Sequence, residues 1–467
     1  MTPIRIGVWC DYGVTLTPTE GIGVFVANLV EGLLNLEEQI EVTLLVRPGD
    51  QPIAGSLQKK YPHRLQIVPP IWPRIHGSPA GTNVLQAGVR LIARVLRMTQ
   101  GLKRRFDLLE KRSSLAFSSI LAVTRKGTSV LITAFWRVLK GLPFLGPTCR
   151  RFDGLFNPTI VCRNAACDVW LIPNDRLIHP LPNPSVLVIH DLVQVHYPDA
   201  VPEDVRAELL KVVPLRAAEA TLCACMSRFI WDMDLRGVLK LPAEKLRLIR
   251  PAPPSDFPSI TSAQALRLKP PNLTRPYFFY PAAFRSYKNH GALIDALHIL
   301  RQRLGEDSYD LVFTGIHTMP KELKRKIADH GLPERVHVLG CVDRRALSAL
   351  YRCAFATIVP SLYEQGSFPI YEALHWGCPV ASSNIPALVE QCQPLGDAMI
   401  YFDPHDPMAI ARAMLRFRED RQAILARQQA VKPVLWQRTW QDAARDWLQV
   451  FRDAIELAGA HRTSLAA

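Results

Sequence analysis

Short apolar runs alternate along the chain with segments of helical periodicity, and this pattern predicts parallel α/β sheets. The runs have the length of strands and are rich in β-branched and aromatic residues. In the first half of the chain we expect strands over residues 4–9, 42–46, 65–68, 169–172, 186–189, 221–225 and 246–249. In the second half we expect them over residues 277–280, 311–313, 336–339, 355–359, 379–381 and 399–402.

A proline-rich stretch over residues 251–271 separates the two series of strands and indicates an interdomain linker. A chain of 467 residues also exceeds a single ordinary core, and its 48% hydrophobic content is typical of packed domains. We therefore expect a first domain over residues 1–255, a linker over 256–272, a second domain over 273–430 and C-terminal helices over 431–467 that cross back to the first domain.

The N-terminal segment has the pattern of a strand and not that of a signal peptide. No uncharged apolar run reaches the roughly 18 residues of a membrane-spanning helix. The ten cysteines follow no metal-ligand spacing, so reduced thiols are expected. These features predict a cytoplasmic protein without a spanning helix.

The net charge of +14 is concentrated in one insertion, residues 81–163. This insertion holds 15 Lys and Arg against 3 Asp and Glu, a surplus of 12, whereas the other residues hold 41 against 39, a surplus of 2. Within the insertion, apolar residues at helical spacing alternate with arginines. Basic amphipathic helices suit an anionic membrane surface. The alternative is a solvated basic face that covers another part of the protein.

Two glutamates near the C-terminus, Glu364 and Glu372, flank a Gly-Ser turn and Pro369. Proline suits the first turn of a helix, and Gly377 suits its left-handed C-terminal cap. Free amides at the start of this helix would favour a phosphate, and the residues concerned are Gly366, Ser367 and Phe368. A phosphate cradle between two carboxylates suits a nucleotide-sugar. Acidic residues also occur in first helical turns for dipole reasons alone.

This stretch resembles the E-x7-E motif of retaining glycosyltransferases of family 4, also known as glycosyl transferases group 1. The resemblance implies the GT-B fold, in which two Rossmann-like parallel-sheet domains face a cleft, here with a basic helical insertion in the first. It further implies that Glu364 contacts the donor sugar and that Glu372 holds the ribose in the second, nucleotide-sugar-binding domain. The family usually reads E-G-F-G-L from the first glutamate, whereas this chain has Gln365, Gly366, Ser367 and Phe368 after Glu364. The loop amides are therefore expected to meet the sugar differently.

Two further segments of the first domain match the family. His190 and Asp191 end a buried strand, and the resemblance places His190 at the reaction centre, where it would position the sugar or the acceptor hydroxyl. A strand-end histidine can equally be structural. Gly21 and Gly23 follow the first strand and resemble the glycine loop beside the donor diphosphate and the acceptor.

In the second domain, Lys288 resembles the family lysine that pairs with the diphosphate, so it would neutralise the leaving group. Arg285 lies nearer to this lysine than the usual family arginine does, and either side chain could instead be an exposed loop charge. Gly315 and Gly340 end strands and resemble turns that line the nucleotide pocket, and Glu390 has the character of a structural cap.

One motif is set aside. Asp232 and Asp234 have the D-x-D form that binds a divalent metal with nucleotide-sugars in the GT-A architecture, but they fall in a predicted helix away from any strand end. Since Lys288 and a helix start are available for phosphate, no metal and no cofactor are required.

The sequence therefore predicts a glycosyltransferase (a hexosyltransferase) that moves a sugar from a nucleotide diphosphate sugar to a hydroxyl of a lipid-linked or envelope glycan. The motifs are somewhat closer to those of mannosyltransferase-like members, which favours a GDP-mannose-like donor. The insertion would hold the enzyme at the inner membrane face. Rival interpretations are an epimerase or phosphorylase of the same fold, or a non-catalytic polyanion-binding module. No recognised nucleic-acid motif accompanies the basic charge.

Overall fold

The computed structural model describes residues 3–10, 21–46, 51–68, 165–177, 180–254, 257–315 and 318–466. The predicted basic insertion, residues 81–163, lies outside these ranges. Within them, two parallel sheets of seven and six strands are present, and each strand overlaps one of the predicted runs. The predicted fold class of two Rossmann-like sheets is confirmed.

The first lobe is built on the seven-stranded sheet, whose order is β3-β2-β1-β4-β5-β6-β7. Its strands are β1 Ile4–Cys10, β2 Ile40–Val46, β3 Leu65–Val68, β4 Val169–Ile172, β5 Ser185–Val188, β6 Leu222–Cys225 and β7 Leu246–Leu248. Its helices are α1 Gly21–Leu34, α2 Gln51–Lys60, α3 Val193–His196, α4 Glu203–Glu219 and α5 Arg228–Ile230, which continues as π-helical turns over Trp231–Val238.

The second lobe is built on the six-stranded sheet, whose order is β10-β9-β8-β11-β12-β13. Its strands are β8 Tyr277–Pro281, β9 Asp310–Thr314, β10 Val336–Val338, β11 Ala356–Val359, β12 Val380–Ser383 and β13 Ile400–Phe402. Its helices are α6 Ser262–Leu268, α7 His290–Gln302, α8 Lys321–Asp329, α9 Arg344–Cys353, α10 Phe368–His375, α11 Pro386–Cys392 and α12 Pro407–Trp436. The chain ends in α13, Trp440–Ala466.

Each sheet has a point at which the strand order reverses, between β1 and β4 in the first lobe and between β8 and β11 in the second. All the strand pairs are parallel, so within each sheet the carboxyl ends of the strands lie at one edge. Loops that leave neighbouring strands at such a reversal diverge to opposite faces of the sheet and leave a crevice, which is where ligands bind in open α/β sheets.

The last helix returns to the first lobe and becomes part of its core. Trp447 and Phe451 of α13 are almost completely buried against α1 and the seven-stranded sheet. The two helices approach closely because Gly32 of α1 has no side chain. A Cβ atom at this position would lie 2.6 Å from the carbonyl oxygen of Trp440.

Residues 256–272 were expected to form a linker, but in the structure they contain helix α6. Thr261 and Gln264 form a capping box at the start of this helix, and Ala265 is buried in the core of the second lobe. The proline pairs that suggested a linker lie on either side of α6. The C-terminal boundary also differs, since α12 runs on to Trp436 and only α13 packs in the first lobe.

We predict that Gly32→Ala lowers the free energy of unfolding by about 1–3 kcal/mol, because the new methyl group overlaps backbone that cannot move without shifting α13. Gly55→Ala is the matched control. It lies in α2, where an added Cβ atom has no neighbour within 4 Å in the part of the chain that the structure describes, so the same substitution should raise stability by about 0.5–1 kcal/mol through helix propensity. Urea unfolding of both variants checks this pair, and equal effects at the two positions would contradict the packing argument.

Candidate active site

A cavity of about 930 Å³ lies where the two lobes meet. Its size is in the upper part of the range found for small-molecule sites. Residues from the carboxyl ends of strands in both sheets line it, so both reversal points contribute. Eleven of the sequence-predicted site residues are among them: Gly21, His190, Asp191, Arg285, Lys288, Gly315, Glu364, Gly366, Ser367, Phe368 and Glu372.

Lys288 and Glu364 form an ion pair inside this cavity. Lys288 ends a 3₁₀ turn after β8, and Glu364 lies in the loop after β11. The same carboxylate oxygen, Oε1, also accepts a hydrogen bond of 2.8 Å from the hydroxyl of Ser361. Burial is the largest single influence on the pKa of Lys288 and would lower it, but the groups around the ammonium, with Glu364 first among them, together outweigh burial and hold that pKa above its ordinary value. The site therefore keeps a charged ammonium in a buried place.

The loop that carries Lys288 is fixed by the next residue, Asn289, which sequence reasoning did not include in the site. Asn289 adopts the left-handed conformation with φ of 58°, which asparagine tolerates better than most residues. Its amide nitrogen donates to the carbonyl oxygens of Pro360 at 3.1 Å and Pro404 at 2.8 Å. Lys288 thus supplies the charge, and Asn289 fixes the loop that carries it.

Glu372 lies in the second turn of α10, because the helix begins at Phe368, with Pro369 at its second position. The Glu372 carboxylate accepts a hydrogen bond of 2.7 Å from the hydroxyl of Tyr351. Burial raises its pKa, while the Tyr351 hydrogen bond opposes that rise. The side chain is thereby held at the cavity wall.

The start of α10 is less open than expected. The amide of Ser367 donates to Gln391 Oε1 at 2.6 Å, and Gln391 Nε2 donates back to the Ser367 carbonyl at 2.9 Å. The prediction of a free amide at Ser367 is therefore wrong for this structure, because α11 supplies a side chain that satisfies it. The other end of α10 is as predicted, since Gly377 follows the helix with φ of 69°.

His190 is buried and both of its ring nitrogens are engaged. Nε2 carries the proton and donates to the carbonyl of Pro173 at 2.8 Å, since a carbonyl can only accept. Nδ1 accepts a hydrogen bond of 2.8 Å from the amide nitrogen of Gln365, which belongs to the second lobe. Burial lowers the pKa of His190, so the ring is neutral. The other amide atom of Gln365, Oε1, is buried without a hydrogen-bond partner among the described residues.

Asp191 and Arg285 also line the cavity, with different local roles. Asp191 Oδ1 accepts a hydrogen bond of 3.2 Å from the amide of Val193, the first residue of the short helix α3. Arg285 is exposed and reaches the carbonyl of Ala200 only at 3.5 Å.

Two predicted glycines do not line the cavity. Gly23 is buried within α1 and is not part of the cavity lining, although its chain neighbours Ile22 and Val24 are. Gly340 lies after β10 with φ of 68°, and its carbonyl accepts a hydrogen bond of 2.9 Å from the amide of Gly315. It therefore supports the wall formed by Gly315 and does not reach the cavity itself.

Several residues that bear on the site were not predicted to do so. Glu390, interpreted as a structural cap, accepts the amides of Arg228 at 2.9 and 2.7 Å and of Phe229 at 3.2 Å, so it caps a helix of the opposite lobe. Asp234, set aside with the D-x-D motif, is completely buried. Gln365 was not predicted either, and its adjacency to Glu364 was the available signal. Among the described residues, no group of three or more His, Cys, Asp or Glu side chains is arranged to hold a metal ion.

The comparisons with known proteins bear on the second lobe most directly. A family model described as glycosyl transferases group 1 matches residues 265–432. The chain is 28% identical to O-antigen chain mannosyltransferase B of Escherichia coli over 53% of this chain and 64% of that protein. It is 24% identical to O-antigen chain mannosyltransferase RfbU of Salmonella typhimurium over 49% of this chain and 59% of that protein. The alignments thus span about 60% of the length of these relatives.

Two solved structures resemble almost the whole chain. Sucrose-phosphate synthase from Thermosynechococcus elongatus superposes with a TM-score of 0.62 at 16% identity and covers 96% of this chain and 98% of its own. The Anabaena protein Alr3699/HepE, solved with UDP and glucose, superposes with a TM-score of 0.57 at 14% identity and covers 96% and 99%. At this identity the likeness concerns the fold, and the fold is the GT-B arrangement predicted from the sequence.

Asp175 yields a prediction about pH. It lies between the cavity-lining residues Asn174 and Arg176, and burial raises its pKa to about 7. An aspartate in an unfolded chain titrates near pH 3.9, so between about pH 4 and pH 7 the folded protein holds a proton that the unfolded chain has released. The stability due to this proton is fully present below about pH 4 and is lost as the pH rises through 7.

We therefore expect Asp175→Asn to gain stability relative to wild type between pH 5 and pH 8, by on the order of 2 kcal/mol. Urea unfolding of both proteins at the two pH values measures the difference. If the difference between wild type and variant stays constant across this range, the buried, protonated state of Asp175 is refuted.

Proposed function

We propose that the protein is a retaining glycosyltransferase that transfers a hexose from a nucleotide diphosphate sugar to a hydroxyl of a glycan acceptor. One observation carries the proposal: Lys288, Glu364 and Glu372 line the same interlobe cavity as His190 of the opposite lobe. A cation and two carboxylates in one cavity suit a diphosphate with a hydroxyl-rich group at each end. The match of residues 265–432 to glycosyl transferases group 1 supports the same conclusion.

The donor would lie along the second lobe. Glu372, which lines the cavity as Cys341, Val342 and Asp343 do, would accept hydrogen bonds from the ribose. Lys288 would bind the diphosphate, and Glu364 would bind the sugar. The names of the relatives, two of which are O-antigen mannosyltransferases, favour a mannose donor with guanosine as the nucleoside. The HepE title records UDP and glucose, which keeps a uridine donor as the second choice.

The reaction would follow from this placement. The bond between the anomeric carbon and the diphosphate oxygen breaks, and the acceptor oxygen bonds to the same face of that carbon. The acceptor proton passes to the departing phosphate, so no enzymic nucleophile is needed. Lys288, charged despite its burial, would neutralise the negative charge that develops on the leaving group. In this proposal neither a metal nor a cofactor is required, and activity should persist in a chelator.

The first lobe would shape the sugar and acceptor end. The buried, unpartnered Oε1 of Gln365 would accept a hydrogen bond from a sugar hydroxyl. His190, neutral and held by Pro173, would position the sugar or the acceptor once Gln365 turns toward the ligand. Enclosure between the two lobes would exclude water and limit hydrolysis of the donor.

We predict that a GDP-sugar or a UDP-sugar raises the melting temperature of the wild-type protein and that Glu372→Gln loses most of this shift. Removing a charged acceptor costs about 1.5–3 kcal/mol of binding, so the ligand stabilises the variant less at equal concentration. Glu322→Gln, on the exposed first turn of α8, is the control and should keep the full shift. Equal shifts in both variants would remove Glu372 from the site, and no shift with any nucleotide-sugar would remove the donor itself.

The nature of the reaction is separately testable. A transferase consumes the donor only when a hydroxyl acceptor is present, and NMR of the product gives the anomeric configuration. Conversion of the donor without acceptor would indicate an epimerase, and dependence on inorganic phosphate would indicate a phosphorylase.

We further propose that the protein acts at an anionic membrane surface, where a lipid-linked or envelope glycan would be its acceptor. The charge of residues 81–163 supports this, with 15 Lys and Arg against 3 Asp and Glu. None of the helices in the described ranges combines the length and apolarity needed to cross a bilayer. In this proposal the basic insertion provides the attachment.

Flotation with liposomes tests this attachment. The wild-type protein should float with vesicles that contain anionic lipid and much less with neutral vesicles, and binding should weaken with salt. Replacing Lys103, Arg104 and Arg105 with glutamine should reduce flotation. Replacing Lys321, Lys324 and Arg325, an exposed cationic group on α8, should not. Binding that ignores lipid charge would refute the proposal.

A further inference from the structure

A buried cluster of hydrogen bonds joins the two lobes beside Glu364, and we call it the Asp234 cluster. It consists of Asp234, Leu192, His196 and Tyr363. Asp234 lies in the π-helical turns after α5 and is completely buried. Its Oδ1 contacts His196 Nε2 at 2.6 Å, and its Oδ2 accepts the amide of Leu192 at 3.0 Å and the hydroxyl of Tyr363.

Tyr363 is the member of the cluster that comes from the second lobe, and it directly precedes Glu364. Its hydroxyl donates to Asp234 and accepts the amide of Leu192 at 2.9 Å. Its ring packs against rings of the first lobe, with centroid distances of 4.9 Å to His196 and 5.8 Å to Tyr197. One side chain of the donor-side loop is thus enclosed by the opposite lobe.

The neighbours of Tyr363 in the chain are held in the same way. The hydroxyl of Tyr197 donates to the carbonyl of Leu362 at 3.3 Å, and Gln365 donates to His190 Nδ1 at 2.8 Å. The Glu364 carboxylate itself is bonded within its own lobe, by Lys288 and Ser361. The direction of its carboxylate therefore depends on how the first lobe holds the residues on both sides.

We infer that Asp234 is a positioning residue, which sets the loop Ser361–Gln365, and with it the Glu364 carboxylate, when the two lobes are together. It acts through Tyr363 and does not touch the donor. Without Asp234, the Tyr363 hydroxyl and the Leu192 amide would lose their shared acceptor in a buried place, which is unfavourable. The inference rests on the proposed function for its effect on catalysis, but the contact itself does not.

The preceding acidic residue of the same D-x-D motif provides a contrast. Asp232 is exposed, and its carboxylate pairs with Arg228 of the same helix at 2.8 Å. A metal-binding D-x-D motif would need both carboxylates. The cluster needs Asp234 alone, so Asp232 is a matched control two residues away.

Asp234→Asn and Tyr363→Phe should each lower kcat by about 10-fold or more, the cost of a lost hydrogen bond to a charged group. The Kd of the free nucleotide should change less than about 2-fold, because the nucleoside end depends on Glu372. The double variant should be little worse than Asp234→Asn, since both changes remove one contact. Asp232→Asn should match wild type in every measurement.

A readout that needs no activity separates this inference from the proposed function. Hydrogen exchange of the peptide that covers residues 361–367 should be faster in Asp234→Asn and Tyr363→Phe than in wild type and Asp232→Asn. If wild type neither binds nor turns over a nucleotide-sugar, the proposed function fails, yet the exchange pattern still tests the cluster.

The inference is overturned if Tyr363→Phe shows the hydrogen exchange and the kcat of wild type. It is also overturned if Asp232→Asn and Asp234→Asn lose activity equally, because that result would indicate metal binding by the pair. Tyr363→Phe keeps the packed ring, so it decides the matter if Asp234→Asn fails to fold.

Discussion

The ion pair between Lys288 and Glu364 is the interaction on which the site depends. Both side chains are largely buried, and an isolated charge there would be strongly unfavourable. The second lobe therefore builds partners for both. Ser361 donates to Glu364, the hydroxyl of Tyr280 contacts Ser361 at 2.9 Å, and Asn289 fixes the lysine loop. The strands that bring these groups together, β8 and β11, are adjacent because the sheet order reverses between them.

The lobes are joined by two kinds of contact that differ in strength. Helix α13 buries Trp447 and Phe451 in the first core, an apolar attachment that separates only if the core opens. The contacts around the cavity are polar and local, such as Glu390 on the amides of Arg228 and Phe229. Polar interfaces of this kind exchange partners with water at little net cost. The lobes can therefore move apart at the cavity while the chain crossing stays intact.

Sequence pattern was informative where the signal is local. Strands of a parallel sheet appear in the sequence as short apolar runs, and the residues at their carboxyl ends lie at one edge of the sheet. The order of the predicted strands therefore indicated the region of the site. A local signal was also missed, because the Thr261–Gln264 capping box lies between the proline pairs that suggested a linker.

What the sequence did not reveal depends on contacts between distant residues. Gln391 reaches the Ser367 amide from the next helix, 24 residues on. Tyr363 meets Asp234 across 129 residues, and nothing in the spacing of either links them. The D-x-D motif illustrates the limit. Its two aspartates look equivalent in the sequence, and only the fold makes one exposed and the other completely buried.

The groups expected to bind a donor already have protein partners in this structure. Glu364 forms an ion pair with Lys288, Gln391 accepts a hydrogen bond from the amide of Ser367, and Gln365 donates one to Nδ1 of His190. A ligand that reaches these groups must replace these partners, so it gains only the difference between two sets of hydrogen bonds. The binding of a nucleotide alone should then be modest. In the proposed function, selectivity would arise because only a ligand that satisfies all three positions together compensates for every contact it displaces. A nucleotide diphosphate sugar would reach further along the cavity than the nucleotide alone, and the loop Ser361–Gln365 would recognise that additional length.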